Sequence, residues 1–357
     1  MHQVTLIAGD GIGPEVTRAA RAVVAASGAA VEFDEVTAGL EAERASGTPL
    51  PAAVFESIER TRLVLKGPTQ TPFGGEYSVP VERIAAGSTE PESRSYPSVT
   101  VALRKELGLY VNVRPMKNYP GIASRFEAVD LLIFRENSED LYAGMERMID
   151  EGTAEAIKII TWRATDRVAR FALDYLRRLK RRKLTIVHKA NVMKMTDGLF
   201  LKAAQDAGRD YADIQVNQRV VDALCMELVI HPEQFDGLLL PNLYGDIVSD
   251  LAAGLVGGLG VAPGANFGDD CAMFEAVHGT APEMAGTDSA NPTAMILSAV
   301  MLLRHIGETA AADRIDQALS AVLKAGKDVT ADLGGSAGCD RMTRAVVEIL
   351  EKQGPAA

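Results

Sequence analysis

The sequence predicts an α/β fold on a mixed or parallel sheet in two domains. Short apolar runs alternate with longer segments of helical period, the mark of strands interleaved with helices. The 357 residues give length for two ordinary domains, and a composition 47% hydrophobic and 24% charged supplies a substantial core. Neither an internal repeat nor a low-complexity linker interrupts the pattern.

The first run, Val4 to Ala8, meets Gly9-Asp-Gly-Ile-Gly13-Pro14-Glu15. The glycines permit a tight turn, Pro14 suits the first helical position and Glu15 favours a helix's positive end, so a helix is expected to about Ala26. A strand over Leu63 to Leu65 runs into a loop at Lys-Gly-Pro. Ser78 to Tyr96, rich in Gly, Pro, Ser and Glu without a sustained period, reads as a loop at a cleft edge. A helix around Val101 to Leu107 follows, then strands at Tyr110 to Val113 and Leu131 to Phe134. Val168, Phe171, Ala172, Tyr175, Leu176 and Leu179 repeat at helical spacing with Arg and Lys between them, an amphipathic surface helix. Leu184 to Val187 is a strand, Asp197 to Ala207 a helix, and Gly237 to Leu240 a strand that breaks at Pro241. Asn291-Pro292 opens an apolar helix to about His305, and two more helices finish the chain.

A net charge of −11 and a pI near 5.1 argue against a nucleic-acid polymer as the main partner. A small anion remains possible through a local group of arginines. Three widely spaced cysteines, Cys225, Cys271 and Cys339, suggest neither a disulfide framework nor a CxxC metal site, which points to a reducing compartment. No apolar run approaches the roughly 20 residues that span a bilayer. The first strand begins almost at residue 1, leaving no room for a signal peptide, so a cytoplasmic location is expected.

Five features bear on chemistry. The Gly9 to Gly13 loop invites a dinucleotide, but it is G-x-G-x-G and fits equally well a turn that binds nothing. Asp246 and Asp250, at i and i+4 on a helix expected after Asn242-Leu-Tyr-Gly245, share a face. A hard cation such as Mg²⁺ or Mn²⁺ would relieve their repulsion, whereas the plainer alternative is charge that complements the helix dipole. Arg104, Arg114 and Arg135 stand beside element ends, each able to fork onto a carboxylate or to form an ordinary surface pair. Lys189, after a strand, and Tyr142, after Glu136-Asn-Ser-Glu-Asp140, suit a general base and a proton donor, although each alone is more often structural. Phe274-Glu-Ala-Val-His-Gly-Thr-Ala-Pro-Glu283 combines small residues with His278 and two acids, which suits a loop lying against a nucleotide.

As an ordered set, these stretches resemble the isocitrate and isopropylmalate dehydrogenase family of β-decarboxylating dehydrogenases. The similarity runs nearly end to end, through Ala8-Gly-Asp-Gly-Ile-Gly-Pro-Glu15, Leu103-Arg-Lys-Glu-Leu107, Val111-Asn-Val-Arg-Pro115, Phe134-Arg-Glu-Asn-Ser-Glu-Asp-Leu-Tyr142, His188-Lys-Ala-Asn-Val192, Pro241-Asn-Leu-Tyr-Gly-Asp246 and Phe274-Glu-Ala-Val-His-Gly-Thr-Ala-Pro282. The resemblance implies an isopropylmalate dehydrogenase-like two-domain fold with a mixed sheet, not a Rossmann fold. A large cofactor domain would join residues 1–110 and 258–357, and a small domain, 111–257, would carry an arm near 142–162 that clasps a second copy in a homodimer.

Carried over by position, Arg104, Arg114 and Arg135 resemble the carboxylate grip, Tyr142 the proton donor and Lys189 the general base offered to the partner's site. Asp246 and Asp250, with Asp222 from the other subunit, resemble the Mg²⁺ or Mn²⁺ ligands. Glu283 stands where the family's NAD enzymes tend to be acidic, since a carboxylate accepts from ribose hydroxyls and repels a 2′-phosphate. The resemblance therefore implies NAD, with Thr71, Asn191, Glu275, His278, Gly279, Thr280, Ala281 and Asn291 also near it. The implied reaction is oxidation of a 2-hydroxy acid, then loss of its β-carboxylate.

Isocitrate leads as the substrate, although Ser98-Val-Thr100 departs from the family's Ser-x-Asn and the longer Val79 to Pro97 stretch is nearer to homoisocitrate enzymes. Ser88, Arg94, Ser95, Ser98 and Thr100 suit a charged substrate arm, with Arg94 the candidate for a fourth anion contact. Homoisocitrate, an isopropylmalate-type acid and a phosphonate analogue such as 3-phosphonomethylmalate stay open. A non-catalytic regulatory subunit is disfavoured, because Tyr142, Lys189, Asp222, Asp246 and Asp250 are all present.

Overall fold

A computed structural model describes residues 1–71, 78–84 and 91–354. Its centre is a ten-stranded mixed sheet. From one edge the strands run Gln215–Val220, Lys183–His188, Gly237–Leu240, Asp130–Glu136, Val111–Lys117, Pro263–Phe267, Ala272–Ala276, Leu63–Lys66, His2–Ile7 and Val31–Val36. Both flanks are parallel, and the three central junctions, from Asp130–Glu136 to Ala272–Ala276, are antiparallel. An antiparallel middle is incompatible with an all-parallel Rossmann sheet.

Period-two alternation divides the sheet's faces. One face is apolar throughout, with Leu65, Val111, Val113, Phe134, Ala265 and Phe274 in a single large core. The other carries two separate apolar clusters, Ile7, Val64 and Met273 toward one end and Ile133, Val187 and Leu240 toward the other. In the gap between them the strands present Lys66, Glu275, Asn266, Asn112, Arg114 and Arg135, all nearly inaccessible to solvent.

Three expectations are corrected. Ser78 to Tyr96 is not simply a loop: Val79–Ile84 pairs antiparallel with Pro91–Tyr96. Val79, Val81 and Tyr96 bury against Val99 and Leu103, so the alternation in Val-Pro-Val outweighed the turn-rich composition. The helix bearing the two aspartates starts at Asn242 rather than after Gly245 and runs to Val256. Pro241 ends the preceding strand, and the Leu243 N–H donates to Asp140 Oδ2 at 2.9 Å, capping the new helix early. The first turn therefore holds no acid, which removes the dipole explanation for Asp246 and Asp250. Finally, the helix expected from Val101 opens at Val99, because Ser98 caps it by accepting from the Val101 N–H at 3.1 Å.

Candidate active site

The polar strip is one connected network. Lys66 Nζ lies 2.8 Å from Glu275 Oε2, and Arg104 Nη2 donates to Glu275 Oε1 at 2.9 Å. Asn266 donates to the same Oε1 at 2.9 Å and accepts from Asn112 at 2.9 Å. Asn112 Oδ1 in turn accepts from Arg114 Nε at 2.7 Å. Burial pushes the Glu275 carboxyl upward, but Lys66 and Arg104 overcome it and hold the group far below the usual carboxylate range.

Arg114 and Arg135 meet the aspartate helix. Arg114 Nη1 donates to Ser249 Oγ at 2.6 Å and lies 3.6 Å from Asp250 Oδ1, while its Nη2 lies 3.7 Å from Asp246 Oδ1. Arg135 donates through Nε to Asn242 Oδ1 at 2.9 Å and through Nη1 to Asp246. Tyr142 donates its hydroxyl to Asp246 Oδ2 at 2.5 Å, and the Arg135 guanidinium lies 4.9 Å from the Tyr142 ring centroid. Gly245 is required for this approach, because a Cβ there would sit 2.5 Å from Arg135 Cγ.

Burial, then repulsion from Arg135 and Arg104, lowers Arg114 to about 10, still protonated at neutral pH. Burial and the bond to Asp246 raise the Tyr142 phenol, keeping its proton available for transfer. Burial raises Asp246 too, but Arg135 and the Tyr142 hydrogen bond leave it below its ordinary value. Asp250 is raised by burial and by Asp246, against the pull of Arg114. That residual repulsion between hard oxygen donors is what a divalent cation neutralises.

Beside the strip, a cavity of about 140 Å³ is lined by Thr69, Thr100, Arg104, Arg114, Glu275 and His278, among others. A second, of about 240 Å³, is lined by Ile12, Gly279, Ala281, Met284, Asn291 and Asp332, among others, and shares His278 and Gly279 with the first. His278 thus stands where the two adjoin, with Nδ1 against the Gly279 carbonyl at 3.0 Å and a buried Nε2 that has no hydrogen-bond partner among the described residues. Burial lowers its pKa, so it is neutral at pH 7. The glycine loop buttresses this corner: Ile12 N–H donates to the Thr280 carbonyl at 2.8 Å, and a Cβ on Gly11 would lie 2.0 Å from that oxygen. Its glycines are explained by close backbone packing.

The expected residues do not all converge. Thr100 lines the first cavity, its hydroxyl 3.3 Å from that of Thr69. Ser98 serves as the helix cap, and Arg94 lies against Glu106 at 3.3 Å. Ser88 lies outside the described residues. Glu275 is ion-paired beneath Arg104, Asn291 is tied to Asp332 at 2.8 Å, and Glu283 and Thr71 are exposed. Lys189, Asn191 and Asp222 form a separate group at the far sheet edge, where Lys189 Nζ and Asp222 Oδ1 are 2.5 Å apart. Lys66, Asn112, Asn266, Asn242 and Ser249 were not singled out from sequence. Period-two polar positions inside apolar strands, as in Val-Asn-Val-Arg from 111, were the available signal.

The isocitrate/isopropylmalate dehydrogenase family model matches residues 3–346. The chain belongs to this family. Its fold is similar to the crystal structure of isocitrate dehydrogenase from Methylococcus capsulatus, with TM-score 0.90 and 45% identity over 98% of this chain and 99% of that one. It is 43% identical over 347 residues to human mitochondrial NAD isocitrate dehydrogenase subunit alpha, covering 97% of this chain and 90% of the relative. It is 41% identical over 357 residues to a Dictyostelium discoideum protein named as a mitochondrial NAD isocitrate dehydrogenase regulatory subunit, covering 99% and 94%.

Proposed function

We propose that this chain catalyses the NAD-dependent oxidative decarboxylation of isocitrate to 2-oxoglutarate with Mg²⁺ or Mn²⁺. The observation that carries the reading is the convergence of Arg104, Arg114 and Arg135 on the same strip as Tyr142, Asp246 and Asp250. Three guanidinium groups match the charge of a tricarboxylate, whose oxygens would replace Glu275, Asp246 and Asp250 as their partners. The carboxylates of Asp246 and Asp250 fit a hard cation, and the buried Nε2 of His278, without a partner among the described residues and set between two adjoining cavities, fits a dinucleotide. When bound, the cation supplies Lewis-acid polarisation and the nicotinamide accepts the hydride.

The arginines orient the acid. Lys189 of a second copy takes the hydroxyl proton as hydride leaves the same carbon, which becomes a ketone. Carbon dioxide then departs, leaving its bonding electron pair on the substrate, and Tyr142 protonates the carbon that lost it.

Sharing between two copies of this chain is part of the proposal. In it, Asp222 of a second copy would join Asp246 and Asp250 around the cation, a reading supported by its place at the exposed sheet edge beside Lys189. A homodimer is supported by exposed apolar side chains on the hairpin arm (Met145, Met148, Ile149, Ile157) and on two neighbouring helices (Met226, Ile230, Ile247). Residues 1–110 with 258–357 would form the large domain and 111–257 the small one, the antiparallel strands forming the seam. The exposed Glu283 supports NAD over NADP, and the three free cysteines support the cytoplasm as a reducing location.

The test is NADH formation by the purified chain with Mg²⁺, offered isocitrate, homoisocitrate, isopropylmalate and 3-phosphonomethylmalate in parallel. Saturable turnover best with isocitrate is expected. Preference for another acid would overturn the substrate, preference for NADP would overturn the cofactor, and inactivity of the chain alone would favour a regulatory subunit.

A further inference from the structure

We infer that Lys158 is a positioning residue that fixes both halves of the shared active site. The inference rests on the function proposed above. It lies at the root of the hairpin arm, far in sequence from every residue assigned a catalytic role, and its side chain is only 11% exposed.

Lys158 Nζ lies 2.6 Å from Asp197 Oδ1 and 3.6 Å from Asp140 Oδ1, and both carboxylates are fully buried. Each acid has a second task. Asp197 Oδ2 accepts the backbone N–H of Lys189 at 2.6 Å, and so sets where the base emerges from its strand. Asp140 Oδ2 accepts the Leu243 N–H at 2.9 Å, and so sets where the helix carrying Asp246 and Asp250 begins. The ammonium also lies 4.5 Å from the ring centroid of Tyr244, in that helix's first turn. One cation thus holds the base offered outward and the metal ligands kept at home.

The arrangement is constrained. Asp140 adopts φ +73°, a region uncommon for residues other than glycine, and its N–H donates to the Ile159 carbonyl at 2.8 Å, closing the arm's root around Lys158. Without the ammonium, the two buried carboxylates would lose the counter-charge they share and would relieve their repulsion by moving apart. That movement shifts Lys189 or the aspartate helix, and small displacements of catalytic groups are costly in rate.

The experiment compares wild type with Lys158→Met, Lys158→Arg and Asp197→Asn, measuring oligomeric size, melting temperature, kcat, and KM for NAD. Asp197→Asn keeps an acceptor for the Lys189 N–H but removes the ion pair, so it also serves if Lys158→Met fails to fold. In Lys158→Met or Asp197→Asn, kcat is expected to fall at least tenfold with KM for NAD within about threefold, in a variant of wild-type size, and Lys158→Arg to recover most of kcat. Undiminished kcat in folded Lys158→Met or Asp197→Asn would overturn the inference. So would equal loss of kcat and NAD affinity, or a loss that merely follows the fraction of folded protein. An inactive wild type would instead overturn the proposed function.

Discussion

The strip around the arginines and the edge that carries Lys189 both bring opposite charges together, but in different ways. Along the strip, Lys66, Glu275, Arg104, Asn266, Asn112 and Arg114 are linked within one chain and largely shielded from solvent. At the edge, the Lys189 ammonium pairs with Asp222, whose side chain is 67% exposed, beside exposed apolar side chains such as Met226. A buried network is preorganised and sensitive to loss of any member, whereas an exposed pair exchanges partners at little cost. Under the proposed shared site, the strip would be one preorganised half and the exposed edge the half offered to a second copy.

The sharpest way to break this comparison is Lys189→Met. If Lys189 is the base, as proposed, its loss should lower kcat by about 10³-fold without changing the melting temperature appreciably. Mixing unfolded Lys189→Met and Asp246→Asn chains and refolding them together should restore activity that neither variant has alone. Absence of complementation would place both groups in one chain's site. Glu275→Gln should cost about 3 kcal/mol in a denaturant melt by leaving Lys66 and Arg104 incompletely paired in the interior. A melt like wild type would mean that the strip is wetter than its geometry implies.

Smaller effects sharpen the strip's boundary. Gly245→Ala forces a methyl group against Arg135, costing roughly 1–3 kcal/mol and raising KM for the acid more than KM for NAD. Equal changes in both would mean that the whole helix had moved. Arg94→Ala should alter KM for the acid by only about twofold, because Arg94 lies against Glu106 on the exposed hairpin. An effect as large as that of Arg104→Ala would show that the hairpin swings into the cleft when substrate binds.

The chain order of motifs was enough to read the fold class, and the three arginines, the aspartate pair and Tyr142 that it singled out lie along one strip in the structure. The hairpin over 79–96 was misread because turn-forming residues outnumber the alternating valines, and only burial against Val99 and Leu103 reveals which signal prevailed. Ser98 and Arg94 looked like substrate contacts because hydroxyl and guanidinium groups near a cleft suit an anion. The fold uses the first as a helix cap and sets the second on Glu106.

The sequence by itself determined what is periodic and local: alternating strands and helices, i and i+4 carboxylates on one helix face, a proline that ends a strand, and an acidic Glu283 in the loop after Phe274. Only the tertiary structure decided that Lys66, Asn112 and Asn266 would join the arginines in one network, since these residues come from three different strands and meet through strand order and register. It alone placed Lys158 between Asp140 and Asp197. Spacing along a chain fixes which face of an element a side chain occupies, but an ion pair between distant segments depends on how those elements pack, and no local pattern encodes that distance.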